Sequence, residues 1–192
     1  MEKFTARKIV TLFILTSSLM LTGCAGTFHD VKSKTVSKPP TVRPSTLVVQ
    51  NITIKDARIS PPAAANYLTI LGDGIVSWNT NHMAFSQVIV ASGVAVPDDA
   101  IILSGTIHDV EKGSGSMRFW VGMGAGQARV QGNFEIKDSH GNLLCSFFAN
   151  RSYLGGTGLG GMGMLDFDEL FNRLGWVLAE TTDKWLKGQK ID

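Results

Sequence analysis

The sequence has little cysteine, little surplus charge and no apolar run long enough to span a membrane. Two cysteines in 192 residues are too few for the disulfide scaffold of a small secreted domain. The 18 lysines and arginines nearly balance the 16 aspartates and glutamates, so nothing favours nucleic-acid binding. The apolar run Ile9–Met20 has 12 residues, whereas a membrane-spanning helix needs roughly 20.

Motifs of common enzymes are also missing. The sequence contains neither H-E-x-x-H nor G-x-S-x-G, and its four histidines are far apart in the chain. Gly156–Gly161 satisfies G-x-G-x-x-G, but a dinucleotide site needs a βαβ unit, and no strand is predicted after the helix that follows. We therefore expect no catalysis, no metal and no cofactor.

The N-terminus has the pattern of an export signal. Three basic residues, Lys3, Arg7 and Lys8, precede the apolar run. Leu21-Thr22-Gly23-Cys24 follows it and resembles the lipobox of bacterial lipoproteins. That resemblance implies a diacylglyceryl group on the Cys24 thiol and cleavage before Cys24. An ordinary secretory signal with an incidental cysteine is the alternative. Ala25, rather than Asp, follows the cysteine, which by the same resemblance implies the outer membrane.

The sequence divides into a signal peptide (1–23), the lipidated cysteine with a flexible tether (24–45), an α+β lipoprotein domain (46–188) and a tail (189–192). Removing the signal leaves 15 cations and 15 anions, so the basic character belongs to the signal. Residues 25–45 are rich in Ser, Thr, Lys and Pro and show no sustained periodicity. A flexible coil of this length has a reach of roughly 25 Å.

Apolar periodicity predicts the elements of the domain. The clearest pattern is Gln127–Lys137, where apolar and polar residues alternate strictly. Further strands are predicted at 46–54, 86–91, 100–110 and 142–153, and helices at 63–79 and 166–187. The order β-α-β-β-β-β-α indicates an α+β fold, a mostly antiparallel sheet of four to five strands with two packed helices. Cys145 lies in an apolar run and is predicted to be buried.

Two glycine-rich segments, 113–126 and 155–163, are the candidate functional regions. Glycine permits tight crossings over the ends of a sheet, so packing is one interpretation of both segments. The other is an interaction surface, because apolar side chains are interleaved with the glycines. The candidate interaction loop consists of Met117, Arg118, Phe119, Trp120, Met123, Leu159 and Met162.

Several of these stretches together resemble one known family. They are Leu103–Ile107, Gly115–Arg118, Gly122–Gly126, Asp138 with Gly141-Asn142, and the segment Gly155–Gly163 before the last helix. The sequence from about residue 46 to 187 resembles the bacterial lipoprotein family catalogued as domain of unknown function forty-four-ten. This resemblance implies no reaction, substrate or catalytic residue. More weakly, the domain resembles the lipoprotein domains of curli-secretion and related envelope-assembly proteins.

The sequence thus predicts an outer-membrane lipoprotein facing the periplasm, with a non-enzymatic binding or assembly module of the cell envelope. The first alternative is a subunit of an oligomeric export or envelope-assembly complex, and the second is an uncharacterised periplasmic enzyme. The expected partners are the membrane, through the lipid on Cys24, and an envelope protein or a second copy of the chain. No nucleic acid and no cofactor other than the covalent lipid are expected.

Overall fold

A computed structural model describes residues 26–113, 127–154 and 167–191 of the chain. The strands are β1 (Gly26–Val36), β2 (Thr46–Ile54), β3 (Gln87–Val90), β4 (Ala100–Glu111), β5 (Ala128–Asp138) and β6 (Leu143–Leu154). The helices are α1 (Pro61–His82), between β2 and β3, and α2 (Phe167–Leu186), after β6.

The six strands form one mixed sheet in the order β1-β6-β5-β4-β2-β3. The pairs β1–β6, β6–β5 and β5–β4 are antiparallel, whereas β2 runs parallel to both β3 and β4. The α+β class with two helices is confirmed. The prediction of a mostly antiparallel sheet agrees with three of the five strand pairings, and it did not include the two parallel pairings of β2. The predicted number of four to five strands was wrong, because the described residues form six. Parallel pairing arises because α1 returns the chain to the starting end of β2 before β3 begins.

The additional strand is β1, the first in the chain. It lies in the segment 24–45, which the sequence predicts to be a flexible tether. It pairs with β6 from Gly26 opposite Leu154 to Val36 opposite Cys145. As an edge strand it is held by backbone hydrogen bonds along one side, so its pairing does not require alternating apolar residues. From His29 onward, where the structure describes the side chains of β1, Val31 packs against the core and Val36 is exposed. One buried valine among Ser, Thr and Lys residues gives no periodic signal.

Both helices pack on one face of the sheet and enclose the main core. The alternation predicted in β5 is confirmed, since Ala128, Val130, Phe134 and Ile136 are fully buried. One face of α2 is buried as well, with Leu170, Leu174, Val177, Leu178, Thr181 and Trp185. Cys145 is buried as predicted, and burial raises the pKa of its thiol to about 11. No helix within the described ranges is long and apolar enough to cross a bilayer.

The two helices cross at glycines. A Cβ atom on Gly74 would lie 2.1 Å from the carbonyl oxygen of Asn172, and one on Gly175 would lie 2.2 Å from that of Leu71. Real side chains cannot approach a carbonyl so closely, so both positions require glycine for the observed distance between α1 and α2. Glycine lowers the helix propensity of α1, but Gly74 is the place where the second helix fits.

Candidate functional site

The predicted site residues lie outside the described parts of the chain. This applies to the lipobox Leu21, Thr22, Gly23 and Cys24, and to the candidate loop residues Met117, Arg118, Phe119, Trp120, Met123, Leu159 and Met162. Lipidation and the interaction loop therefore stay predictions. The described strands nevertheless fix the points at which these segments join the sheet.

All three predicted features connect to one end of the sheet, which we call the Gly26 end. Gly26 lies opposite Leu154, and the neighbouring Tyr153 lies opposite Ala128. The first glycine-rich segment leaves β4 beyond Glu111 and re-enters the sheet at Ala128, while the second follows Leu154. The antiparallel pairing of β4, β5, β6 and β1 thus brings sequence positions 26, 113, 127 and 154 to the same end.

A group of paired charges lies at this end, which we call the charge cluster: Asp56, Arg58, Asp109, Glu111 and Arg129. The Asp56 carboxylate accepts hydrogen bonds from Arg58 Nε at 2.9 Å and Nη2 at 2.6 Å. Arg58 Nη2 also donates to Asp109 at 2.5 Å, and Arg129 Nε donates to the other oxygen of Asp109 at 2.8 Å. The cluster joins the β2–α1 connection to β4 and β5.

The hydrogen bonds of the charge cluster connect separate elements of the fold, which gives the cluster a structural role. Hydrogen bonds from Arg58 hold the pKa of the Asp56 carboxyl well below its usual range, although burial opposes this shift. The backbone N–H groups of Arg58 and Val110 lower the same pKa further. Hydrogen bonds to Asp56 and Asp109 raise the pKa of Arg58. Asp56 and Arg58 therefore stay charged near neutral pH and are not suited to exchange protons with a substrate.

A polar groove of about 530 Å³ runs across the sheet face that carries no helix. Its polar lining consists of Gln50, Asn51, Ser104, Thr106, Asn133, Glu135 and Lys137. The two charged side chains neutralise each other, since Lys137 Nζ lies 2.8 Å from a Glu135 oxygen. Asn133 accepts a hydrogen bond from Lys34 Nζ at 2.6 Å. The groove offers amide and hydroxyl groups for hydrogen bonding, and the two charged side chains of its lining are paired with each other.

The four histidines do not converge on one site. The His82 ring stacks on Trp78 with centroids 4.3 Å apart, and His140 lies in the turn between β5 and β6. His108 is exposed with its ring 6.3 Å from that of Phe148, whereas His29 Nδ1 lies 3.3 Å from an Arg151 nitrogen. In the described ranges, no three acidic, histidine or cysteine side chains are grouped to hold a metal ion. The absence of catalysis and of a cofactor stays a prediction.

The opposite end of the sheet, which we call the Val36 end, carries a surface that sequence reasoning missed. Four of the large apolar side chains exposed among the described residues lie there, namely Val36, Val42, Met83 and Leu143. Val42 is 83% exposed and Met83 is 86% exposed. Val42 lies in the predicted tether and Met83 just after α1, so neither belongs to a periodic pattern. We call these four residues the apolar end surface.

Comparison with known proteins matches part of the chain to a family. Residues 68–157 match the model of a family described as Domain of unknown function (DUF4410). The predicted family resemblance is confirmed. No curated protein matches the chain.

Solved structures extend the likeness to most of the domain. The PelC dodecamer from Paraburkholderia phytofirmans is 18% identical, with a TM-score of 0.50, and the match covers 78% of this chain and 95% of that chain. A variant of the same dodecamer is 18% identical, with a TM-score of 0.46, and the match covers 79% of this chain and 98% of that one. A PDZ domain protein from Parabacteroides distasonis is 11% identical, with a TM-score of 0.41, over 93% of this chain and 40% of that chain. At this identity the PelC likeness shows the fold alone.

Proposed function

We propose that this chain is an outer-membrane lipoprotein, anchored through Cys24, whose periplasmic domain is a non-enzymatic assembly module that associates with copies of itself. The observation that carries the proposal is the fold shared with PelC, a dodecamer that is matched over 95% of its length. The family match over residues 68–157 brings no reaction with it and is compatible with a non-enzymatic role.

The anchoring part of the proposal depends on the resemblance of Leu21–Cys24 to a lipobox. The expected product begins at Cys24 and carries lipid on that residue, because the signal peptidase for lipoproteins acts after the thiol is modified. Treatment with globomycin, or the substitution Cys24→Ala, should leave the precursor uncleaved in the cell. Normal processing of the Cys24→Ala protein would contradict the anchoring.

Self-association is supported by the apolar end surface. Exposed apolar side chains gathered at one end of a domain are typical of protein contact surfaces. Val42 and Met83 are each more than four-fifths exposed. Burial of two such side chains in a contact between copies stabilises the contact by about 1.5–3 kcal/mol each.

In-cell cross-linking followed by mass spectrometry tests the self-association. The double substitution Val42→Ser and Met83→Ser should reduce cross-linked homo-oligomer about tenfold or more, which corresponds to a loss of about 1.4 kcal/mol or more. Val76→Ser is the matched control, since Val76 is an exposed apolar residue in the middle of α1. Unchanged cross-linking in the double variant would contradict the role of the apolar end surface.

The same experiment separates a second candidate function, a binding module for another envelope component. The candidate loop residues favour it, because the sequence interleaves Met and aromatic residues with glycine. A cross-link to a different envelope protein that survives the double substitution, and is lost in Trp120→Ala and Met123→Ser, would support this function instead.

A further inference from the structure

We propose that the Gly26 end of the domain rests on the headgroup surface of the lipid bilayer, so that the Val36 end points away from the membrane. The inference rests on the proposed lipidation of Cys24 and adds the orientation of the domain. Its basis is the register of β1, which removes the flexible spacer expected between lipid and domain.

The chain is too short to let the domain stand away from its anchor. Gly26 is paired with Leu154, and the pairing continues residue by residue to Ser33 opposite Phe147. Only two peptide steps separate Cys24 from Gly26, which allows at most about 8 Å between their Cα atoms. A coil of the predicted tether's length would instead have a reach of roughly 25 Å. A lipid on Cys24 therefore holds this end of the sheet at the bilayer.

The charges at this end are compatible with contact to a lipid surface. In the charge cluster, the three acidic side chains pair with Arg58 and Arg129. Lys112, just beyond β4, adds a positive charge, and its ammonium group lies 5.9 Å from the centre of the Phe167 ring.

The acidic residues of α2 at this end are Asp168 and Glu169, in the first turn of the helix. Glu169 pairs with Arg173 at 2.5 Å. Since most of the carboxylates at the Gly26 end are paired with arginine, they do not present a strong negative field to anionic headgroups. The orientation follows from the anchor rather than from charge attraction, which salt would screen.

The opposite end is placed out of reach of the bilayer. The strand β5 runs from Ala128 at the Gly26 end to Asp138 at the Val36 end. Ten steps of an extended strand span about 33 Å. The apolar end surface is therefore held away from lipid and faces the periplasm, where a second copy of the chain can meet it.

Fluorescence quenching in proteoliposomes tests the orientation. The mature lipoprotein is reconstituted in vesicles of phosphatidylethanolamine and phosphatidylglycerol that contain a lipid with a nitroxide on its headgroup. A maleimide dye is attached in separate samples at Lys112→Cys, which is at the Gly26 end, and at His140→Cys, which is at the Val36 end. Both side chains are exposed, so neither substitution disturbs the core, and the buried Cys145 is protected from the dye.

The expected result is quenching at position 112 at least threefold stronger than at position 140, with vesicles lacking nitroxide as the reference. The mass of the protein in the same sample reports its lipid. Lipid on Cys24 combined with equal quenching at both positions, or with stronger quenching at 140, overturns the orientation and leaves the proposed function standing. A protein without lipid on Cys24 overturns both.

Discussion

Asp56 is the residue whose ionisation is most closely coupled to folding at the Gly26 end. Its carboxylate accepts four hydrogen bonds, from N, Nε and Nη2 of Arg58 and from the backbone N–H of Val110. Since the folded state holds the Asp56 pKa below its usual value, these bonds stabilise the fold above the unfolded-state pKa of about 3.9. The stabilisation is lost as the pH falls below that value towards the lower pKa of the folded state.

Asp56→Asn should therefore lower the free energy of unfolding at pH 7 by about 1.5–3 kcal/mol, the usual contribution of hydrogen bonds to a charged group. The difference between the free energies of unfolding at pH 7 and pH 3 should also become smaller than in the unsubstituted protein. Urea titration at the two pH values measures both. Asp73→Asn, at an exposed position of α1, is the control. An unchanged pH dependence in Asp56→Asn would contradict the account.

For single residues, the sequence predicted properties that depend on the adjacent residues in the chain. Cys145 lies in a continuous apolar run, so its burial could be inferred from that run alone. The charge cluster could not be inferred, because Asp56 and Asp109 are 53 positions apart. They meet through Arg58 only once β2 and β4 pair. The apolar end surface could not be inferred for the same reason, since its residues come from three separate parts of the chain: 36–42, Met83 and Leu143.

The strand β1 is the element whose structure differs most from the prediction, since a predicted flexible tether is paired with β6 there. Val31 is partly buried against the core, whereas its neighbour Lys32 is exposed. Val31→Asp should detach β1 from β6, because a charged carboxylate replaces the apolar side chain that packs against the core and loses part of its hydration there. Hydrogen exchange of the backbone amides of residues 27–36 should then become fast.

Lys32→Asp is the control for that substitution, because it introduces the same carboxylate one residue away on the other face of the strand. It also removes the exposed ion pair of Lys32 with Asp30, which contributes little to stability. Exchange in residues 27–36 should remain slow in the control and in the unsubstituted protein. If the unsubstituted protein already exchanged these amides within seconds, the segment would be the flexible tether that its composition predicts.

The crossing of α1 and α2 gives a second prediction at the scale of elements. Gly74→Ala and Gly175→Ala should each lower the free energy of unfolding by about 1–3 kcal/mol, since the added methyl group overlaps a backbone carbonyl of the other helix. In an exposed helix the same change would raise it by about 1 kcal/mol. Asp73→Ala, next to Gly74 but exposed, should change it by less than about 0.5 kcal/mol. Chemical denaturation measures all three, and no loss in the glycine variants would contradict the close crossing.

Elements with a half-buried face could be predicted, and the edge strand could not. The alternation of β5 is a direct consequence of one face lying against the helices and the other being polar, so its position was predicted within one residue. From His29 onward, the part of β1 whose side chains the structure describes, Val31 is the residue that packs against the core. The strand is otherwise held by backbone pairing with β6 and by side-chain hydrogen bonds of His29 and Lys34. Composition cannot distinguish such a strand from a polar linker.

At the scale of the whole molecule, the sequence predicted the class of fold but only part of its topology. The number of helices and the order of the elements after β1 follow from periodicity. The parallel pairing of β2 with β3 and β4 depends on where α1 returns the chain, which a single sequence does not state. The register of β1, on which the proposed orientation of the domain rests, is likewise a property of the assembled sheet.

The proposed assembly module has to associate with copies of itself. Native mass spectrometry of the mature lipoprotein, extracted from membranes in a mild detergent and diluted over a wide concentration range, tests it most directly. We expect a homo-oligomer of one defined size, which dissociates when Val42 and Met83 are both replaced by serine. A monomer at every concentration would contradict the claim.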